Sequence, residues 1–86
     1  MLITRKLVAD KIAAYLHHAI TLVDLVDWAE YAMMEDEFED SDVQAIRSAV
    51  SRLGVADVRA FGLTWEDCEG LLAQLGYSAR VSIVAA

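Results

Sequence analysis

Four stretches of the chain place apolar residues three and four positions apart, and each stretch begins at a hydroxyl residue that can cap a helix. The capping residues are Thr4, Thr21, Ser41 and Thr64, and the last three are followed at capping-box spacing by Asp24, Gln44 and Asp67. The pattern predicts helices over about 4–17, 21–34, 41–54 and 64–76. Gly54 is expected to end the third helix in a left-handed conformation, and Gly76 to close the fourth. The expected fold class is therefore mostly α, with four principal helices.

The apolar positions of these four stretches predict the core. They are Val8, Ile12, Tyr15, Leu16 and Ala19; Leu22, Leu25, Val26, Ala29 and Met33; Val43, Ile46, Val50 and Leu53; and Trp65, Cys68, Leu72 and Leu75. Residues 55–61 are expected to form one or two helical turns, with Val55, Val58 and Phe61 pointing inward.

The last stretch of the chain has a period of two. Its apolar residues alternate with Ser78, Arg80 and Ser82, and the alternating set is Tyr77, Ala79, Val81 and Ile83. This pattern is typical of a β-strand, which we expect at about 77–84. A lone strand leaves half of its backbone groups unpaired, so it should pair with Leu2-Ile3 or with the same strand of a second chain.

Size and composition bound the architecture. A chain of 86 residues is expected to form one helical domain over 1–86. Apolar residues make up 57% of the chain, whereas a domain this small buries only about 60% of its unfolded surface. The excess predicts exposed apolar surface, and with it a homodimer or a protein partner. No apolar run resembles a signal peptide or approaches the ~20 residues of a membrane span, so we expect a cytoplasmic protein with no membrane contact.

Residues able to bind metals or attack substrates are few. The single cysteine and the adjacent His17 and His18 cannot supply four zinc ligands. The two histidines point about 100° apart on a helix and are expected at a helix end. Cys68 lies on an apolar stripe, which predicts a buried structural thiol. The acidic run 35–42 lacks the Gly and Glu that an EF-hand loop requires. The sequence therefore predicts no metal, no cofactor and no enzymatic activity.

Charge is distributed unevenly along the chain. The formal net charge is −7, and the segment between Ile12 and Ile46 contains nine of the fourteen acidic residues but no Lys or Arg. Binding to a nucleic-acid backbone requires clustered Lys and Arg, so no nucleic-acid partner is expected. A strong negative field instead speeds encounter with a basic protein.

The second helix concentrates this charge beside two aromatic residues. Five residues fall within about 100° of one another at the helical period, and we call them the acidic-aromatic face: Asp24, Asp27, Trp28, Tyr31 and Glu35. Aromatic anchors with a charged rim are typical of protein interfaces. The alternative is that Trp28 and Tyr31 pack under a neighbouring helix or the C-terminal strand.

Segments 25–30 (LVDWAE), 32–34 (AMM) and 53–69 (LGVADVRAFGLTWEDCE) resemble a group of small uncharacterised bacterial proteins. In helical layout and acidity the chain is also similar to bacterial immunity and antitoxin proteins, which neutralise a basic toxin by covering its active site. That resemblance implies a protein–protein interaction module whose acidic-aromatic face binds a basic partner. The rival hypothesis is a homo-oligomeric structural protein assembled through the C-terminal strand and the surplus apolar surface.

Overall fold

A computed structural model describes residues 2–34, 37–59 and 62–79. In this part of the chain four α-helices follow one another: Arg5–Leu16 (α1), Leu22–Met34 (α2), Val43–Gly54 (α3) and Trp65–Gln74 (α4). A 3₁₀ turn, Asp40–Asp42, precedes α3. The mostly α prediction is confirmed. The predicted C-terminal strand falls mainly on residues outside the described ranges and stays a prediction.

Three of the four helices begin where the sequence predicts. The Thr4 hydroxyl accepts a hydrogen bond from the Leu7 backbone N–H at 3.0 Å. Thr21 and Asp24 exchange two capping-box hydrogen bonds, each of 3.1 Å, and Thr64 and Asp67 exchange bonds of 3.1 and 2.9 Å. Each box satisfies backbone N–H groups that the first helical turn leaves without an intrahelical partner.

The third helix ends at Gly54 as predicted, but its predicted start at Ser41 and the predicted left-handed conformation of Gly54 are wrong. The helix begins at Val43 with Asp42 in the cap position, and Asp42 makes no side-chain cap hydrogen bond. Ser41 lies inside the preceding 3₁₀ turn, so its backbone is not the extended backbone that a capping box needs. At the other end Gly54 is the last helical residue and has no positive φ. The chain leaves α3 through successive turns, with Ala56 N–H donating to Leu53 C=O at 3.1 Å.

The core lies between all four helices. α2 and α3 form the most extensive pair, and α1 packs against the other three. On α2 the buried residues include Leu25, Ala29 and Ala32. The largest fully buried side chains are Ile3, Ile12, Leu25, Ile46, Leu53, Leu75, Val8, Val26, Val50 and Cys68.

Several residues predicted to point inward do not. Met33, Val58 and Trp65 are exposed, and Ala19 lies beyond the end of α1 and is exposed as well. Ala32 takes the buried position on α2, and Ala56 is buried in the turn after α3. Phe61 lies outside the described ranges.

The N-terminal segment pairs with the chain that follows α2. Ile3 forms a parallel bridge with Phe38, in which Ile3 N–H donates to Glu37 C=O at 3.0 Å and Glu39 N–H donates to Ile3 C=O at 2.9 Å. Arg5 extends the connection, because its backbone N–H donates to the Glu39 carboxylate and its guanidinium to Leu75 C=O, both at 3.2 Å. Of the helices that the structure describes, none has the length and apolar character to cross a bilayer.

Candidate protein-binding face

The outward side of α2 carries three well-exposed apolar side chains. Val23 is 63% exposed, Tyr31 56% and Met34 82%. They lie eight and then three residues apart, which keeps them on one side of the helix. Together with the exposed carboxylates Asp24, Asp27 and Glu30 they span about 120° of the helix circumference. We call these six residues the α2 face.

The carboxylates of the α2 face have no ion-pair partner among the described residues. Asp27 and Glu30 are exposed and form no ion pair with any described residue. The Asp24 carboxylate accepts the Thr21 backbone N–H of its own helix cap at 3.1 Å but still faces solvent. The three charges flank and interrupt the apolar stripe, so a partner meets apolar and negative groups together.

Four of the described Lys and Arg side chains contact groups outside α2. Arg5 approaches Glu39 at 3.8 Å, Lys6 pairs with Asp10 at 2.8 Å and Arg52 pairs with Asp67 at 3.2 Å. The Arg47 guanidinium lies 4.9 Å from the centroid of the Phe38 ring. None of these four contacts involves a carboxylate of the α2 face.

Trp28 occupies the border between the α2 face and the core. Its ring is half-buried and packs against the buried cluster. Its indole Nε1 is buried, with no acceptor among the described residues. The Lys11 ammonium of α1 lies 5.7 Å from the ring centroid, within the range of a cation–π contact. For Trp28 the structure therefore matches the packing alternative, whereas Tyr31 is exposed.

The acidic-aromatic face predicted from sequence overlaps the α2 face only in part. Asp24, Asp27 and Tyr31 belong to both, and Glu35 lies outside the described ranges. The face predicted from sequence omitted Val23, Glu30 and Met34, although the helical period places them on the same side of the helix as Asp27. It also omitted Lys11, which a different helix brings to Trp28.

The reactive side chains considered from sequence lie apart from this face. Cys68 is fully buried, and burial first, then the charge of Asp67, raises the pKa of its thiol to about 11. The prediction of a buried structural thiol is confirmed. His17 caps the C-terminus of α1, its N–H donating to Ala13 C=O at 2.9 Å, and His18 follows at φ 62°, so the helix-end placement is also confirmed.

An open groove lies between α1 and α4. Its volume is about 490 Å³, and Ala13, Leu16, Leu72, Trp65 and Tyr77 form much of its lining. Half-exposed aromatic rings line it, whereas its polar groups are the scattered side chains of Asp10, His17 and Ser78. Within residues 2–34, 37–59 and 62–79 no group of His, Cys, Asp and Glu side chains is arranged to hold a metal ion.

Comparison of the chain with protein-family models, with characterised proteins and with solved structures finds no match. A functional proposal therefore depends on the chemistry of the molecule's own surfaces. Within the described ranges, the α2 face combines strongly exposed apolar side chains with carboxylates that have no described ion-pair partner.

Proposed function

We propose that this protein is a protein–protein interaction module that binds a basic partner through the α2 face. The observation that supports this is the exposure of Val23, Tyr31 and Met34 on one side of α2, beside carboxylates that form no ion pair with a described residue. Large apolar side chains grouped on a small domain mark interaction surfaces. Met and Tyr are both enriched in protein interfaces.

Charge gives the proposal its direction. The net charge of −7 steers a basic protein towards the acidic side of the molecule and repels acidic ones. Once contact is made, burial of the three apolar side chains holds the complex together. The role is that of immunity and antitoxin proteins, which cover a basic toxin, and it requires neither catalysis nor a cofactor. We place this role in the cytoplasm, where a reduced Cys68 is expected.

Site-specific photocrosslinking tests the proposal. A photoreactive amino acid is placed at Met34 of the tagged full-length chain, and in a matched control at Gln74, an exposed position on α4. Illumination in cells of the source organism should capture a basic protein from position 34 and not from position 74. The charge-reversal pair Asp27→Lys and Glu30→Lys should abolish the product. Equal products at both positions, or a product unchanged by charge reversal, contradict the proposal.

The groove between α1 and α4 supports a second candidate function, a homo-oligomeric structural protein. Trp65 and Tyr77 present half-exposed rings there, and a second copy could cover them. Sedimentation of the full chain against a chain truncated after Gly76 distinguishes the two functions. A homo-oligomer that dissociates on truncation supports this candidate, and a monomer at every concentration excludes it.

A further inference from the structure

We infer that the part of the partner lying on the α2 face is a basic amphipathic helix packed along α2. This inference rests on the proposed function and specifies the partner's chemistry. The apolar stripe runs from Val23 to Met34 within a single helix, a length of about 16 Å at the rise of an α-helix. A partner must therefore present a row of apolar side chains of similar length, with a cation opposite Asp27, which interrupts the stripe.

The charges beside the apolar stripe determine which charges the partner must have beside its own apolar row. By the helical period Glu30 lies on one side of the stripe and Asp24 on the other, with Asp27 between them. Cations are consequently needed on both flanks of the partner's apolar row. A helix with an apolar stripe bordered by Lys or Arg on both sides supplies this arrangement, and its side-chain ridges can fit the grooves of α2.

Other occupants fit this surface less well. A β-strand adds to an exposed sheet edge, whereas the backbone of α2 is already hydrogen-bonded within its helix. A second copy packed α2 against α2 would place Asp27 and Glu30 near the same carboxylates of its neighbour, which is unfavourable. A nucleic acid would meet the same repulsion through its phosphates.

Binding of a defined probe peptide to the full-length protein tests the inference. The probe is a synthetic 14-residue peptide of Leu and Lys with Leu at helical spacing. One control peptide replaces every Lys with Glu, and a second has the same composition in scrambled order. Amide chemical shifts measured by NMR locate the binding surface, and titration at low and high salt gives the affinity.

Two pairs of substitutions distinguish the effect of charges on the α2 face from the effect of the protein's net charge on peptide affinity. Asp27→Asn with Glu30→Gln should weaken binding of the Leu/Lys peptide by about tenfold, because two charge-assisted contacts are lost. Glu66→Gln with Glu69→Gln removes the same charge from exposed positions on α4 and should change affinity less than about twofold. Circular dichroism confirms that all variants are folded. Shift changes confined to the groove between α1 and α4, equal effects of the two pairs, or no binding overturn the inference.

The peptide and crosslinking experiments test the helical partner and the proposed function separately. A basic protein captured through position 34, with no peptide binding to α2, supports the proposed function and overturns the helical partner. Peptide binding to α2 without a captured protein supports the surface chemistry inferred here and contradicts the proposed function. Stronger binding of the scrambled or Glu-containing peptide overturns the inference, because it removes either the helical match or the charge match.

Discussion

Ionisation of Cys68 gives a direct test of how well the core is sealed. Burial raises the pKa of this thiol from its ordinary 9.0 to about 11. Above about pH 9 the unfolded chain releases the thiol proton while the folded chain retains it, so stability must fall as pH rises. The contribution is fully present below pH 9. Its loss approaches about 1.4 kcal/mol for each pH unit between the two pKa values, which totals about 2–3 kcal/mol.

Urea unfolding of the wild type and of Cys68→Ala measures this effect. Lys and Tyr side chains also titrate in alkaline solution, but they do so in both proteins, so the difference between the two free energies of unfolding isolates the thiol. That difference should change by about 1 kcal/mol between about pH 8 and about pH 10, in the direction that disfavours the wild type. A difference independent of pH would show that the thiol ionises as readily in the folded protein, and would refute the sealed core.

Three further perturbations test separate parts of the structure. Gly76 has φ +88° with the Arg5 guanidinium 3.0 Å from an added Cβ, so Gly76→Ala should lower the free energy of unfolding by about 1–2 kcal/mol. Gly70 lies inside α4, where an added Cβ meets no other atom, so Gly70→Ala should raise the free energy of unfolding by about 0.5–1 kcal/mol. Equal changes in the free energy of unfolding for the two glycine variants, measured in urea, would contradict the assigned backbone conformations. Hydrogen bonds from Thr64 lower the pKa of the Asp67 carboxyl in the folded protein. The stabilisation that ionised Asp67 provides should therefore disappear as the pH falls below that pKa. If the free energy of unfolding of Asp67→Asn falls with acid as steeply as that of the wild type, this prediction is wrong. Lys11→Gln should lower the free energy of unfolding by about 0.5 kcal/mol, because it removes the cation beside the Trp28 indole, whereas Lys11→Arg keeps a cation there. Identical denaturation curves for the two variants would rule the contact out.

Helix starts could be predicted because their determinants are local. The caps at Thr4, Thr21 and Thr64 depend on hydrogen bonds to residues three positions away. A helical apolar stripe following such a residue therefore predicts the helix almost regardless of the surrounding fold. The end of α4 at Gly76 could be predicted for a local reason as well, because glycine adopts the left-handed conformation that ends a helix most easily.

The start of α3 shows where local patterns fail. Residues 41–44 match a capping box, but Asp40–Asp42 form a 3₁₀ turn just after the bridge between Ile3 and Phe38. That bridge joins residues far apart in the chain, and it places the backbone before α3 in a way that no short window of sequence encodes. The capping signal at Ser41 is therefore not used, and the preceding backbone is held by long-range pairing instead.

For the α2 face, the helix, its acidity and the positions that share a side could all be predicted from the amino-acid sequence. Which side faces solvent could not, because it depends on the packing of the other helices. α2 packs most extensively against α3 and buries Ala29 and Ala32, and α1 brings Lys11 to Trp28, whereas Val23 and Met34 stay exposed. The physical reason is that periodicity is a property of one helix, whereas burial depends on which neighbours pack against it.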